Sequence, residues 1–354
     1  MSLPKKAGHF MPRRARSPTG RGIAGPSRHE AGGILMAAVI LALATALRMD
    51  THAAESHVID RSWPADSAAC RPGRFQVPGV ALAGDGSVLV LTRGVNHWMP
   101  GMAPPRHKLV ASPVFDVSAT GDRAQPGPGA RTFVMPHQIA VDRQGHIWIV
   151  DAGLHRVVEF DKEGRKVGDL GGPKVRFNMP TDIAFLSDGT FVVADGYGNS
   201  RVVRFTSDYE VVASWGRRGG GRMEFQIPHS VAVDDHDRIY VADRDNDRIQ
   251  VLTADGVFLA EWNDVGRPLT VRFAAGSVWV LSNFDAGAGI VRRLTPAGEE
   301  LESFHTLPPG DGGDFEWPHG LAVSADGADV YVGFALTGRR VQRYRRVASG
   351  PGSP

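Results

Sequence analysis

From residue 77 to residue 344 the chain alternates short apolar runs with polar turns, and the alternation itself repeats. In MPHQIAVDRQGHIWIVDAGLHRVVEF, residues 135 to 160, a Pro-His pair opens an alternating strand carrying Ile139 and Val141. A turn at Gln144-Gly145 leads into a second apolar strand at 147 to 150, and Arg156-Val157-Val158 begins a third. The same order returns as MPTDIAFLSDGTFVVADGYGNSRVVRF from Met179, IPHSVAVDDHDRIYVADRDNDRIQVL from Ile227 and WPHGLAVSADGADVYVGFALTGRRVQRY from Trp317. VPGVALAGDGSVLVLTRG from Val77 and RPLTVRFAAGSVWVLSNF from Arg267 are weaker copies. Six strand-and-turn copies at a period of roughly 40 to 50 residues predict an all-β, six-bladed β-propeller. No copy can bury its apolar faces alone, so each must pack against its neighbours around a ring.

The pattern divides the chain into a basic lead (1–30), an apolar run with its following region (31–54), the propeller (55–347) and a tail (348–354). The last copy shows three strands, so a segment near 57 to 63 is expected to supply a fourth and close the ring, leaving no bare edge. A Pro-, Gly- and Ala-rich stretch at about 95 to 131 reads as an insertion between the first two copies, long enough to suggest a working loop.

Charge and composition refine this only at the N-terminus. Residues 1 to 31 hold seven Lys and Arg against Glu30 alone, leaving 33 of the 40 basic and 37 of the 38 acidic residues in a mildly acidic body. Such a body offers no nucleic-acid surface. Behind the basic lead, AGGILMAAVILALATAL (31–47) with Ala53-Ala54 beyond it reads as a secretory signal, so the expected location is exported, periplasmic or secreted. If uncleaved, the run becomes a membrane anchor, although it is short for a span of about 20 residues. With Cys70 as its one cysteine, the chain can form neither an internal disulfide nor a thiolate metal site.

Acidic and basic residues that recur at one repeat position read as structural. Asp151, Asp195 and Asp243 follow second strands, and Arg156, Arg201, Arg248 and Arg340 begin third strands; they are expected to hold turn amides and neighbouring strands together. Function should sit where the copies differ. Aligned on the blade-opening prolines, the next residues are Gly79, His137, Thr181, His229, Leu269 and His319, with the histidines 92 and 90 residues apart. Alternate blades of a six-fold ring are related by about 120°, so three imidazoles on axial strands converge, as in a catalytic zinc site with three protein ligands and an open position. Imidazoles without thiolate also suit copper, iron or nickel. The loops after second strands offer Arg93, Tyr197 and Arg244, of which Arg93 and Tyr197 can point toward the same axial mouth as the histidines. A tyrosine beside a metal and an arginine is expected to titrate below its usual 10 or so and to serve as a base.

The motifs MPHQIAVD, DAGLHRV, MPTDIA with ADGYGNSRVVRF, IPHSVAV with VADRDNDRIQ, WPHGLAV and the upstream GVAL and VLVLTRG resemble the NHL-repeat peptidyl-α-hydroxyglycine α-amidating lyases over about residues 77 to 344. The resemblance implies zinc on His137, His229 and His319, a catalytic arginine at Arg93 and a catalytic tyrosine at Tyr197. It also implies a structural calcium on the Val80 and Ile139 carbonyls. This sequence departs from that pattern: Gly320 stands where the calcium-binding aspartate would be, Trp317 replaces an active-site methionine, and Gly198 replaces a disulfide cysteine. The implied reaction is cleavage of the C–N bond of a peptidyl-α-hydroxyglycine or similar α-hydroxyamide, giving an amide and glyoxylate. A small peptide or α-hydroxyamide is the implied substrate.

Two other functions compete. A non-catalytic NHL propeller could bind a protein or peptide outside the cell, but has no reason to keep three alternating histidines with Arg93 and Tyr197. A lactone- or ester-hydrolysing propeller would hold calcium on acids and amides at the channel, where this sequence places histidines.

Overall fold

The computed structural model describes residues 56–64, 75–99, 101–283, 289–306, 316–336 and 341–347. The basic lead, the apolar run, Arg340 and the tail lie outside the described residues. The strands form six four-stranded antiparallel sheets, five of them meanders from an inner to an outer strand and the sixth completed by a strand from ahead of blade one. The inner strands are Gly79–Leu82, Pro136–Val141, Asp182–Phe185, Pro228–Val233, Arg267–Ala274 and Glu316–Val323, in blades one to six. The chain is a six-bladed β-propeller.

Each repeat needs its neighbours for burial. Trp148, Val150 and Val157 of blade two pack with Ile183, Phe191 and Val203 of blade three. Equivalent apolar clusters join blades one to two, three to four, four to five, five to six and six to one. The apolar material that each blade presents on both faces is therefore consumed at its two interfaces, and the ring must close to cover the last pair.

Closure follows the expectation, with a shorter strand. His57–Ile59 pairs antiparallel with Val341–Arg346 as the outer strand of blade six. His57 is buried, stacked on Phe304 at 5.0 Å, and its Nε2 lies 3.1 Å from the Gly327 carbonyl. The Asp60 carboxylate accepts from the Arg343 guanidinium at 2.5 Å, and the Asp60 N–H donates to the Arg343 carbonyl.

Two expectations need correction. The stretch at 95 to 131 is not simply an insertion, because Val114–Val117 and Ala124–Pro126 are the outer two strands of blade one. Only the loop ahead of them is extra. The alignment of blade one also shifts by one residue. Gly79 pairs with Leu91 as Gln138 pairs with Val150, so the residue equivalent to the histidines is Pro78, not Gly79.

The repeated aspartates are structural, each buried and holding loop amides. Asp151 accepts from the N–H groups of Val134, Met135 and Leu154. Asp195 and Asp243 accept from Asn178 and Gln226 N–H and pair with Arg201 and Arg248 at 2.9 and 2.8 Å. Arg156 differs: its partner is Asp169 on the outer strand. Among the described residues no helix is long and apolar enough to cross a membrane.

Candidate metal centre and active site

The three histidines stand at one level of alternate inner strands, and their rings meet at the axis with centroids 4.8 to 4.9 Å apart. Each is fixed by the blade that follows it. His137 Nδ1 lies 2.7 Å from the Thr181 carbonyl, His229 Nδ1 2.7 Å from the Leu269 carbonyl and His319 Nδ1 2.7 Å from the Pro78 carbonyl. Thr181, Leu269 and Pro78 occupy the histidine position in the alternating blades, so the six equivalent residues work as three donor–acceptor pairs. A carbonyl only accepts, which places the proton on each Nδ1 and leaves each Nε2 as a bare lone pair.

These nitrogens are among ligand atoms that lie within 4.8 Å of one another. Burial and then the neighbouring charges hold all three imidazoles neutral. His319 is lowered to about 3 by burial and by Arg93, and His137 and His229 lie well below the usual range. Three buried lone pairs facing one another, each with its other nitrogen anchored, form a donor set that fits a cation such as zinc.

Tyr197 reaches over this set from the four-residue helix Gly196–Asn199, which follows the second strand of blade three. Its hydroxyl is 3.0 Å from Nε2 of both His137 and His229. A side chain at Gly196 would place its Cβ 2.0 Å from the Pro228 carbonyl oxygen, so glycine is needed to let this turn sit against blade four. A Cβ at Gly198 would fall 2.1 Å from the Asn178 side chain, so a cysteine there would require that side chain to move. Burial raises the Tyr197 phenol above its ordinary value, outweighing Arg244 and Arg93, which pull it down. The protein alone therefore holds a neutral phenol; the lowering expected from the sequence supposes a metal beside it, and the two arginines already act in that direction.

Arg93 follows the second strand of blade one and is buried. Its Nε donates to the Pro136 carbonyl at 3.3 Å and its Nη1 to Gln76 Oε1 at 3.1 Å, while Nη2 has no partner. Burial lowers it to about 10, so it stays cationic at neutral pH. Gln76 and Trp98 were not singled out by the sequence. Gln76 Oε1 also accepts the Trp98 N–H, and the Trp98 ring meets Tyr197 edge-on at 5.4 Å with the Arg93 guanidinium 5.6 Å from its centroid. The loop that delivers Trp98 is the extra segment of blade one.

Arg244 is also buried, 5.6 Å from the Tyr197 ring centroid and paired with Asp245. Trp317 is half-buried, two residues before His319 on the same inner strand. Thus His137, His229, His319, Tyr197 and Arg93 form one cluster, with Ile139 further along the His137 strand and Val80 at the equivalent place on the inner strand of blade one.

Fold and repeats together define an NHL-repeat six-bladed propeller: residues 133–160, 177–205 and 225–252 match the NHL repeat model. The chain also has relatives named as peptidyl-α-hydroxyglycine α-amidating lyases. It is 25% identical over 295 residues to peptidyl-alpha-hydroxyglycine alpha-amidating lyase 2 of Drosophila melanogaster, covering 78% of this chain and 71% of the relative. It is 29% identical over 327 residues to peptidyl-glycine alpha-amidating monooxygenase B of Xenopus laevis, covering 82% of this chain; the chain spans only 35% of that relative's length. A gluconolactonase structure from Xanthomonas campestris superposes with a TM-score of 0.56 over 83% of this chain and 95% of that one, at 15% identity, a likeness of fold alone.

Proposed function

We propose that the chain is a zinc-dependent lyase that cleaves the C–N bond of a peptidyl-α-hydroxyglycine, or a similar α-hydroxyamide, into an amide and glyoxylate. The observation that carries this reading is the set of three anchored imidazoles whose free Nε2 atoms face one axial point, with the Tyr197 hydroxyl 3.0 Å from two of them. The relatives named as lyases support it.

His137, His229 and His319 would hold the zinc. What a bound zinc supplies is Lewis-acid charge, which polarises the substrate hydroxyl and favours the phenolate of Tyr197. Tyr197 Oη accepts the hydroxyl proton. The O–H electron pair becomes the second C–O bond of the aldehyde, the C–N bond breaks, and its pair passes to the amide nitrogen, which takes up a proton. The unpaired Nη2 of Arg93 is the buried donor available to the substrate's carboxylate or developing oxyanion, and the guanidinium charge favours ionised Tyr197. Trp317, beside His319, is assigned to the substrate pocket. Export follows from the N-terminal segment at 1–54 and predicts a secreted form lacking it.

Tyr197→Phe in the zinc-loaded full chain should keep its zinc and lose turnover of a short acyl-α-hydroxyglycine by at least about a hundredfold. Retained turnover would remove Tyr197 from the reaction.

A further inference from the structure

One position breaks the repeat without belonging to the histidine site. At the register place filled by Ala81, Ala140, Ala184, Ala232 and Ala322 in the other blades, blade five has Arg272. Its guanidinium enters the axial channel beyond the histidines and touches four blades. Nε donates to the Leu321 carbonyl at 3.2 Å; Nη1 donates to the Val271 carbonyl at 2.7 Å, to Asp182 Oδ2 at 2.8 Å and to Ser230 Oγ at 3.1 Å. Nη2 is buried with no partner. Asp182 is fully buried, and Ser230 donates its hydroxyl to the same carboxylate oxygen. A buried carboxylate is costly unless it is paired or hydrogen-bonded, and Arg272 is the cation that meets this one.

Val271 and Leu321 occupy the same register position in their blades as Val80 and Ile139 do in theirs. The inner strands of all six blades bound one cavity of about 390 Å³, with Val80, Ile139, Ile183, Val231 and Arg272 in its wall. This is the level at which the family resemblance implies a calcium held by the carbonyls of Val80 and Ile139 and an aspartate at 320. The residues present do not fit that ion. A Cβ at Gly320 would lie 2.9 Å from Gly79 Cα and 3.1 Å from the Pro78 carbonyl oxygen, so an aspartate there would have to push blades six and one apart. A guanidinium already takes two carbonyls of this level, and a second cation beside it would be repelled.

We infer that Arg272 replaces the axial calcium: the channel is closed by the chain's own cation, clamped to Asp182, Ser230 and Leu321 across blades three to six. The propeller then needs no calcium on its axis to hold its ring. This inference stands apart from the lyase reading, because it concerns metal binding and melting, not turnover.

Equilibrium dialysis against radioactive calcium up to about 1 mM, the range of weak extracellular calcium modules, tests it on the zinc-loaded full chain. The wild type should take up no calcium saturably, and its melting temperature should be the same with and without the ion. Arg272→Ala should melt several degrees lower, and Arg272→Lys should recover part of the loss, since an ammonium keeps the charge but not the fork of donors. One saturable calcium per wild-type chain, a calcium-dependent rise in its melting temperature, or an Arg272→Ala variant that melts like the wild type would each overturn the proposal. If Arg272→Ala does not fold, the wild-type dialysis still decides.

Discussion

At the scale of single residues, the site is built from groups that hold other groups still. Each axial imidazole is oriented by a carbonyl one blade away, so the three-histidine set is preorganised by the ring and not by local sequence. Gln76 does the same for Arg93, and its Oε1 is shared between the Arg93 guanidinium and the Trp98 amide. Gln76→Ala should therefore lower kcat by roughly ten- to a hundredfold through misplacement of Arg93, while zinc content stays at one per chain. Steady-state kinetics beside metal analysis would check this, and unchanged kcat would show Arg93 to be held by its backbone contacts alone. The histidines, Arg93 and Tyr197 were legible because they interrupt a repeat at recognisable places. Gln76, Trp98 and Arg272 were not. Gln76 and Trp98 act through contacts made only once loops meet in space, and Arg272 stands in a copy too divergent for its alanine equivalents to be noticed.

At the scale of the elements, the loops between second and third strands carry both architecture and chemistry. Their aspartates are buried and accept N–H groups from the segment that enters the blade, so the same residue ends one strand and positions the start of another. Asp243 binds the Gln226 N–H, Asn246 and Arg248 together. Asp243→Ala leaves Arg248 without its most buried partner and should cost about 3 kcal/mol, measured by denaturant unfolding. A loss below roughly 0.5 kcal/mol would mean that Glu261 and the carbonyls around Arg248 suffice. These roles could be read from recurrence along the chain. The outer strands of blade one could not, because VFDV and AQP are short and sit among prolines and glycines, where alternation gives little signal. The one-residue shift at Pro78 has a related reason: proline marks the alignment in the other blades, and only strand pairing shows that Pro78 stands at the histidine place with Val77 where they carry proline.

At the scale of the whole molecule, the six interface clusters make stability a property of closure. The closing strand is fastened by the Asp60–Arg343 pair. Burial alone would raise the Asp60 carboxyl, but hydrogen bonds from Ser62 and Arg343 hold it down to about 2. Because its folded value lies below the unfolded value of about 3.9, its contribution is complete above pH 4 or so and fades as pH falls toward 2. Asp60→Asn should thus melt below the wild type at neutral pH, with the gap narrowing across that acid window; a gap that persists at the lowest pH would assign the loss to shape instead of charge. That a ring of six would form was legible from period and count. That its axis would be held by an arginine was not.

We propose that this ring brings its three histidines together to cleave an α-hydroxyglycine. The most direct test is glyoxylate release from a short acyl-α-hydroxyglycine by the zinc-loaded protein, with His137→Ala measured beside it. The wild type should release glyoxylate saturably and the variant none above background, with loss of zinc accompanying the loss of activity. No release from a wild type shown to hold zinc, or equal release from the variant, would contradict the proposal.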